Sequence, residues 1–213
     1  GPDAAAYDAA SHLVLVIDHS GGDVTLIEAG THKVVDTIAV GGELEEAVVD
    51  GHGRAFVNVE SKNEIAVLDL ANRTVATRYS LPGCDGPTGL GYDAKDGLLI
   101  AACDGTTVLV SAATGKVVDT LATGAGADGV AYDRARRLAF IPAGRDGMLS
   151  VIAIAGGHGR IVQRLETHKS ARTIGIDERS GRLYLPSADY LPAVGGARPQ
   201  VKPGSFRLLV VAP

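Results

Sequence analysis

Tryptophan is absent from this chain of 213 residues, and the aromatic residues amount to six Tyr and three Phe. Positive charge is not in surplus: 20 Lys and Arg face 25 Asp and Glu, for a net charge of −5. That balance gives no general electrostatic attraction to nucleic acid or to an anionic membrane surface. No apolar run reaches the roughly 18 residues a membrane-spanning helix needs. No basic segment followed by an apolar one opens the chain, so the sequence carries no recognisable signal peptide. Cysteine occurs only at Cys84 and Cys103. What the chain has instead is glycine, at 28 positions, and many Val, Leu, Ile and Thr. That mixture suits short strands joined by tight turns.

The dominant pattern is a repeat. A short apolar stretch ending in Asp recurs five times, at Asp8, Asp50, Asp93, Asp133 and Asp177. A period near 40 residues with several short strands in each unit is the signature of β-propeller blades. The third unit is the plainest. Its strands are expected at about 88–93, 98–103, 107–111 and 117–122, with Asp-Gly turns at 96–97 and 104–105 and a glycine turn at Gly115. Third strands recur as "VTLIE", "IAVLD", "TVLVS", "LSVIAI" and "RLLVVA", and the turns into fourth strands as "GTHKVV", "ANRTV", "TGKVV" and "HGRIV". Runs such as "HLVLVI" and "GLLIAA" are apolar on both faces, as a strand packed between two neighbouring blades requires.

This grammar resembles the YVTN-type (YncE-like) β-propeller repeat proteins of bacteria and archaea, and the resemblance runs the length of the chain. "FIPAG" and "YLPSA" depart from the family's Asn-containing second strand in the last two units. The expected fold is all-β, a single propeller domain over 1–213 with blades at about 1–40, 41–81, 82–123, 124–167 and 168–213. The last blade lacks a fourth strand. Relatives of this kind have seven blades, so the resemblance implies the C-terminal part of a seven-bladed ring; a ring of five blades is the alternative. Open blade edges favour self-association in either case. The stretch 188–204, rich in Pro and Gly, interrupts the last blade, either as a variable surface loop or as a flap over one face.

The fold does not name a reaction, so function is read from loops. Loops before each first strand and after each second strand share one rim, and acidic side chains outnumber Lys and Arg there. Propellers of the resembled kind bind ligands on this rim near the channel. The candidate ligand-binding residues are His19, Glu46, Asn58, Glu60, Arg145 and Arg172. His19, Glu45, Glu46 and His168 form the candidate divalent-metal set, of imidazole and carboxylate character suited to Ca²⁺, Zn²⁺ or Mn²⁺. Arg145 and Arg172, on adjacent blades, are alternatively an anion pocket or partners of Asp128, Asp146 and Asp189. Cys84 and Cys103 flank the hairpin turn at 94–97 almost symmetrically, so antiparallel pairing brings them together. A disulfide fits an exported protein; two buried thiols are the other reading. "RARR" at 134–137 is a solvated turn without the broad basic surface or interleaved aromatics of a nucleic-acid site.

The expectation is therefore a non-enzymatic binding or scaffold propeller, periplasmic or secreted. Its partner is a small ligand or protein of unknown identity. The alternative is a metal-dependent hydrolase, lactonase or lyase at the same rim.

Overall fold

A computed structural model describes residues 1–193, 195–196 and 199–212. Nineteen strands form five antiparallel sheets about a central channel, a five-bladed propeller almost without helix. Blade 1 contains β1 (Pro2–Asp8), β2 (Leu13–Asp18), β3 (Asp23–Glu28) and β4 (Lys33–Ala39). Blade 2 contains β5 (Leu44–Val49), β6 (Arg54–Val59), β7 (Glu64–Asp69) and β8 (Thr74–Ser80). Blade 3 contains β9 (Leu90–Asp93), β10 (Leu98–Ala102), β11 (Gly105–Ser111) and β12 (Val117–Gly124). Blade 4 contains β13 (Ala131–Asp133), β14 (Leu138–Ala143), β15 (Met148–Ala155) and β16 (His158–Glu166). Blade 5 contains β17 (Gly175–Asp177), β18 (Arg182–Ser187) and β19 (Arg207–Val211), and β19 is its outer strand. In every sheet the chain order is the spatial order.

The repeated Asp has a local job. Four of them end an innermost strand and Asp50 directly follows β5, and each turns its carboxylate onto the amides of the following turn. Asp8 Oδ2 accepts from Ser11 N and Oγ, Asp50 Oδ1 from His52 N, Asp133 Oδ1 from Arg136 N, and Asp177 Oδ1 from Arg179 N. These are Asx-type turns, in which a short carboxylate satisfies donors that the ladder has left open. In four blades the turn has four residues and its last residue is left-handed: His12, Gly97, Arg137 and Gly181. Blade 2 closes with one residue fewer and uses Gly51 and Gly53 instead.

Aliphatic side chains fill the junctions between blades, as the shortage of rings requires. One buried cluster joins blades 1 and 2 through Leu15, Ile17, Leu26, Leu44 and Leu68. A second joins blades 2 and 3 through Phe56, Ile65, Leu99 and Val108. A third joins blades 3 and 4 through Ile100, Leu109, Ile141 and Ile152. The fourth joins blades 4 and 5 through Phe140, Leu149, Leu183 and Leu185. Central strands are buried on both faces: all five residues of β10 are buried, as are Ala139–Ala143 of β14. No buried cluster joins blade 5 to blade 1 among the described residues.

Cys84 and Cys103 are disulfide-bonded, their Cα atoms 5.3 Å apart, within the blade 2–blade 3 core. The innermost strand of blade 3 starts at Leu90, two residues later than its pattern suggests. The carbonyls of Thr88 and Gly89 accept from Asn58 Nδ2 at 3.0 and 3.1 Å, which ties this segment to the preceding blade.

Candidate functional site

Three sequence candidates, Glu60, Arg145 and Arg172, line one recess of about 640 Å³ at the channel mouth. Its wall is built from loops that follow second strands and loops that precede first strands. Glu60 follows β6; Asp85 and Thr88 precede β9; Asp104 follows β10; Asp128 precedes β13; Arg145 follows β14; Arg172 precedes β17. Backbone bonds knit these loops across the junctions, including Leu44 N to His19 O at 3.2 Å, Asp104 N to Asp85 O at 2.8 Å and Ser170 N to Gly144 O at 2.7 Å. Each arginine is paired: Arg145 with Asp104 at 2.9 Å and Arg172 with Asp128 at 3.3 Å. Asp104 Oδ1 also accepts from Gly126 N, and the amide bond, followed by Arg145, holds its pKa below the usual carboxylate range.

A second cavity of about 340 Å³, which shares Asp128 with the recess, is lined by Asp3, Glu45, Glu46 and Asp128, with Thr173 beside them. Carboxylates crowd here. Burial, then the charges of Asp3 and Glu60, push the Glu45 pKa up to about 7. Burial also lifts Glu46 to about 7, although the amide of Leu90 donates to its Oε2 at 3.2 Å and opposes the rise. Burial raises Asp128 as well, against the pull of Arg172. Desolvation penalises the charged form and like charges reinforce it, so a cation placed among these groups removes both penalties.

His19 Nδ1 lies 2.9 Å from Glu45 Oε1 and 3.0 Å from the Leu44 carbonyl. Burial works to lower the His19 pKa, but that carbonyl and the carboxylates of Glu45, Asp3 and Glu43 outweigh it, and the net direction is up. Ligand atoms of Asp3, His19 and Glu45 all lie within 4.8 Å of one another, a spacing that can hold one metal ion. Of the sequence-proposed metal set, Glu46 lines the smaller cavity together with Glu45. His168 is engaged elsewhere, with Nε2 3.2 Å from Asp189 Oδ1. Asn58 is fully buried, with its amide spent on Thr88 and Gly89; its Oδ1 has no partner.

Sequence reasoning singled out neither Asp3 nor Asp128 as a ligand residue, nor Tyr190. All three occupy the rim that the strand grammar defines, and their clustering depends on how far the blades turn about the channel. Tyr190 and Pro199, from the interrupting stretch 188–204, line the recess. That stretch is tied by Leu191 N to Gln200 O at 2.8 Å and Lys202 N to Asp189 O at 2.9 Å; Val194, Ala197 and Arg198 lie outside the described residues.

No family model matches the chain, and no curated protein matches it in sequence. Solved structures do. The chain resembles Kuenenia stuttgartiensis hydrazine synthase with a TM-score of 0.80 at 18% identity, over 100% of this chain and 63% of that one. It resembles a chain of the mitotic checkpoint complex with a TM-score of 0.69 at 12% identity, over 82% of this chain and 55% of that one. The fold is a β-propeller. At these identities the likeness extends to the fold alone, and the chain spans less than two thirds of either protein it matches.

Proposed function

We propose that this propeller is a non-enzymatic binding module of the YVTN-type, working outside the cytoplasm and taking a positively charged ligand at the channel mouth. The observation that carries the reading is the joining of an open recess to a carboxylate-lined cavity. Glu60, Asp85, Asp104 and Asp128 meet two arginines in the first, and Asp3, Glu45, Glu46 and Asp128 surround the second. Both arginines are held by carboxylates, so the net field at the mouth is negative and draws cations. Rim loops of this kind hold ligands on a rigid scaffold. The disulfide supports an exported protein, and no helix among the described residues is long and apolar enough to cross a membrane.

The test is calorimetric titration with putrescine and arginine amide as cationic probes and citrate as an anionic one. The reading expects the cations to bind, with a loss of affinity of about tenfold in Asp128→Asn, and expects binding to weaken with salt. Binding of citrate in place of the cations, or of no probe, would sink it.

The grouping of Asp3, His19 and Glu45 favours a second reading, a metal-assisted hydrolase. Metal analysis separates the two. A stoichiometric Zn²⁺, Mn²⁺ or Ca²⁺ removed by chelator and abolished by Glu45→Ala supports the hydrolase; a metal-free protein that still binds the cationic probes supports the binding module.

A further inference from the structure

Each half of the disulfide stands directly before a carboxylate of the recess. Asp85 follows Cys84 and Asp104 follows Cys103, and both aspartates line the recess at the channel mouth. Neither lies in a strand. Cys84 and Asp85 belong to the segment between β8 and β9, and Cys103 and Asp104 form the turn between β10 and β11. Among the described residues two hydrogen bonds join these segments beside the disulfide: Asp104 N donates to Asp85 O at 2.8 Å, and Thr106 Oγ1 to Gly83 O at 3.0 Å. Pro87 has no amide with which to extend the ladder toward them.

Blade 4 shows what the disulfide replaces. Counted from the anchors Asp93 and Asp133, Cys103 stands where Ala143 does. Ala143 is bridged by backbone pairing to Ala127, in the segment ahead of β13, and Gly144 N donates to Gly126 O at 2.9 Å. In blade 3 a covalent bond to the segment ahead of β9 takes that place. Asp104 then carries the constraint to the next blade. Its Oδ1 accepts from Gly126 N at 2.9 Å, and its Oδ2 from Arg145 at 2.9 Å. The Arg145 charge opposes a cation in the recess, and Asp104 is the carboxylate that cancels it. With Asp104 out of reach, the recess gains a bare guanidinium and the Gly126 amide loses its acceptor.

We propose that the Cys84–Cys103 bond is a positioning element of the recess. It fixes Asp85 and Asp104 and, through Asp104, keeps Arg145 neutralised. The consequence for ligands rests on the cation-binding reading above; the placement of the carboxylates stands apart from it.

The oxidised wild type is compared with Cys84→Ala/Cys103→Ala and with Asp104→Asn, which keeps the disulfide. Two readouts need no ligand: hydrogen exchange of the Gly126 amide and NMR titration of the Asp104 carboxyl. Without the disulfide, Gly126 is expected to exchange about tenfold faster. Asp104 is expected to titrate closer to the ordinary carboxylate range. Asp69 and Asp177, held low by Asn72 and Ser180 in turns of the opposite rim, are expected to titrate unchanged, which marks the blades as folded. Putrescine affinity is expected to fall about fivefold. Asp104→Asn is expected to reproduce the faster Gly126 exchange and the weaker binding with the disulfide intact. Unchanged Gly126 exchange and Asp104 titration in the disulfide-free protein overturn the proposal, as does an Asp104→Asn that leaves Gly126 exchange unchanged. A shift of Asp69 and Asp177 along with Asp104 overturns it too, because the bond would then serve global stability alone. An oxidised wild type that binds no putrescine removes the cation reading and leaves exchange and titration to decide the positioning.

Discussion

His19 and Glu45 face each other across the junction of blades 1 and 2, Nδ1 to Oε1 at 2.9 Å; the carboxylate raises the proton affinity of the imidazole, while the imidazole opposes the rise that burial imposes on the carboxyl. The imidazole is brought there by the end of β2 and the carboxylate by the start of β5, strands whose loops are held together by Leu44 N donating to His19 O. Because burial alone would lower the histidine, its raised pKa reports on the Leu44 carbonyl first and on the carboxylates of Glu45, Asp3 and Glu43 after it. Glu45→Gln is therefore expected to lower the His19 pKa, read from its imidazole resonances in an NMR pH titration. An unchanged midpoint would show that the Leu44 carbonyl alone sets it.

Glu46 gives a stability prediction with a definite sign. Its carboxyl has a folded pKa of about 7 against an ordinary 4.5, so the native state holds a proton that the unfolded state has released in between. The favourable contribution is complete below the unfolded pKa and is lost as pH rises through about 7. Glu46→Gln keeps an acceptor for the Leu90 amide and removes the charge. It is expected to be nearly neutral at about pH 4 and to stabilise the protein by about 1–2 kcal/mol at about pH 8, after allowance for solvent screening. Urea denaturation at both values checks it; equal effects at the two would place Glu46 in a wetter setting.

Much of this architecture was legible because the repeat states it five times. The Asp anchors, the glycine turns and the two-sided apolar strands each follow from local chemistry, and they mark the five blades of this chain and the rim that carries the loops. The disulfide was legible in part: near-symmetry about 94–97 brings Cys84 and Cys103 to the same rim, although the hairpin register itself runs Asp93 with Leu98 through Leu90 with Ala101, and Cys84 bonds from the loop that precedes β9. The site was less legible. Asp3, Glu45, Glu46 and Asp128 come from three blades and meet only because the blades turn about one channel, a distance no local pattern records. Asn58 shows the opposite difficulty. Its strand position suggests a rim ligand, but its burial commits it to two backbone carbonyls of the next blade.

The left-handed turn residues His12 and Arg137 test how two effects of similar size compete. Each occupies a conformation that glycine takes in the equivalent turns of blades 3 and 5, and each bears a penalty of about 1–2 kcal/mol for it. His12 is exposed and its ring makes a single hydrogen bond, with the Tyr7 hydroxyl at 3.4 Å, so His12→Gly is expected to stabilise by about 0.5–1 kcal/mol once the added unfolded-chain entropy is subtracted. Arg137 instead reaches across to blade 3, pairing with Asp93 and with Asp96 at 2.7 Å, and Asp93 is only 3% exposed. Removing the guanidinium leaves a buried carboxylate, and Arg137→Gly is expected to destabilise by about 1–3 kcal/mol despite the relieved backbone. Chemical denaturation of both variants decides it; a stabilised Arg137→Gly would mean that the turn, not the ion pair, dominates.

The Cys84–Cys103 bond closes a loop of sequence separation 19 that contains the whole β9–β10 hairpin. Closing a loop of this size restricts the unfolded chain enough to contribute about 3 kcal/mol. The bond also sits inside the blade 2–blade 3 core rather than at the solvent edge, so its two sulfurs fill volume as well as bridging. Those contributions separate by experiment. Reduction of the wild type removes the constraint but keeps both side chains, and is expected to lower stability by about 3 kcal/mol. Cys84→Ala with Cys103→Ala removes the sulfurs too and is expected to lose about 1 kcal/mol more. Denaturation curves for the oxidised, reduced and doubly substituted proteins give both differences. If reduction had no effect while the double substitution did, the cysteines would act in this core as packing residues alone.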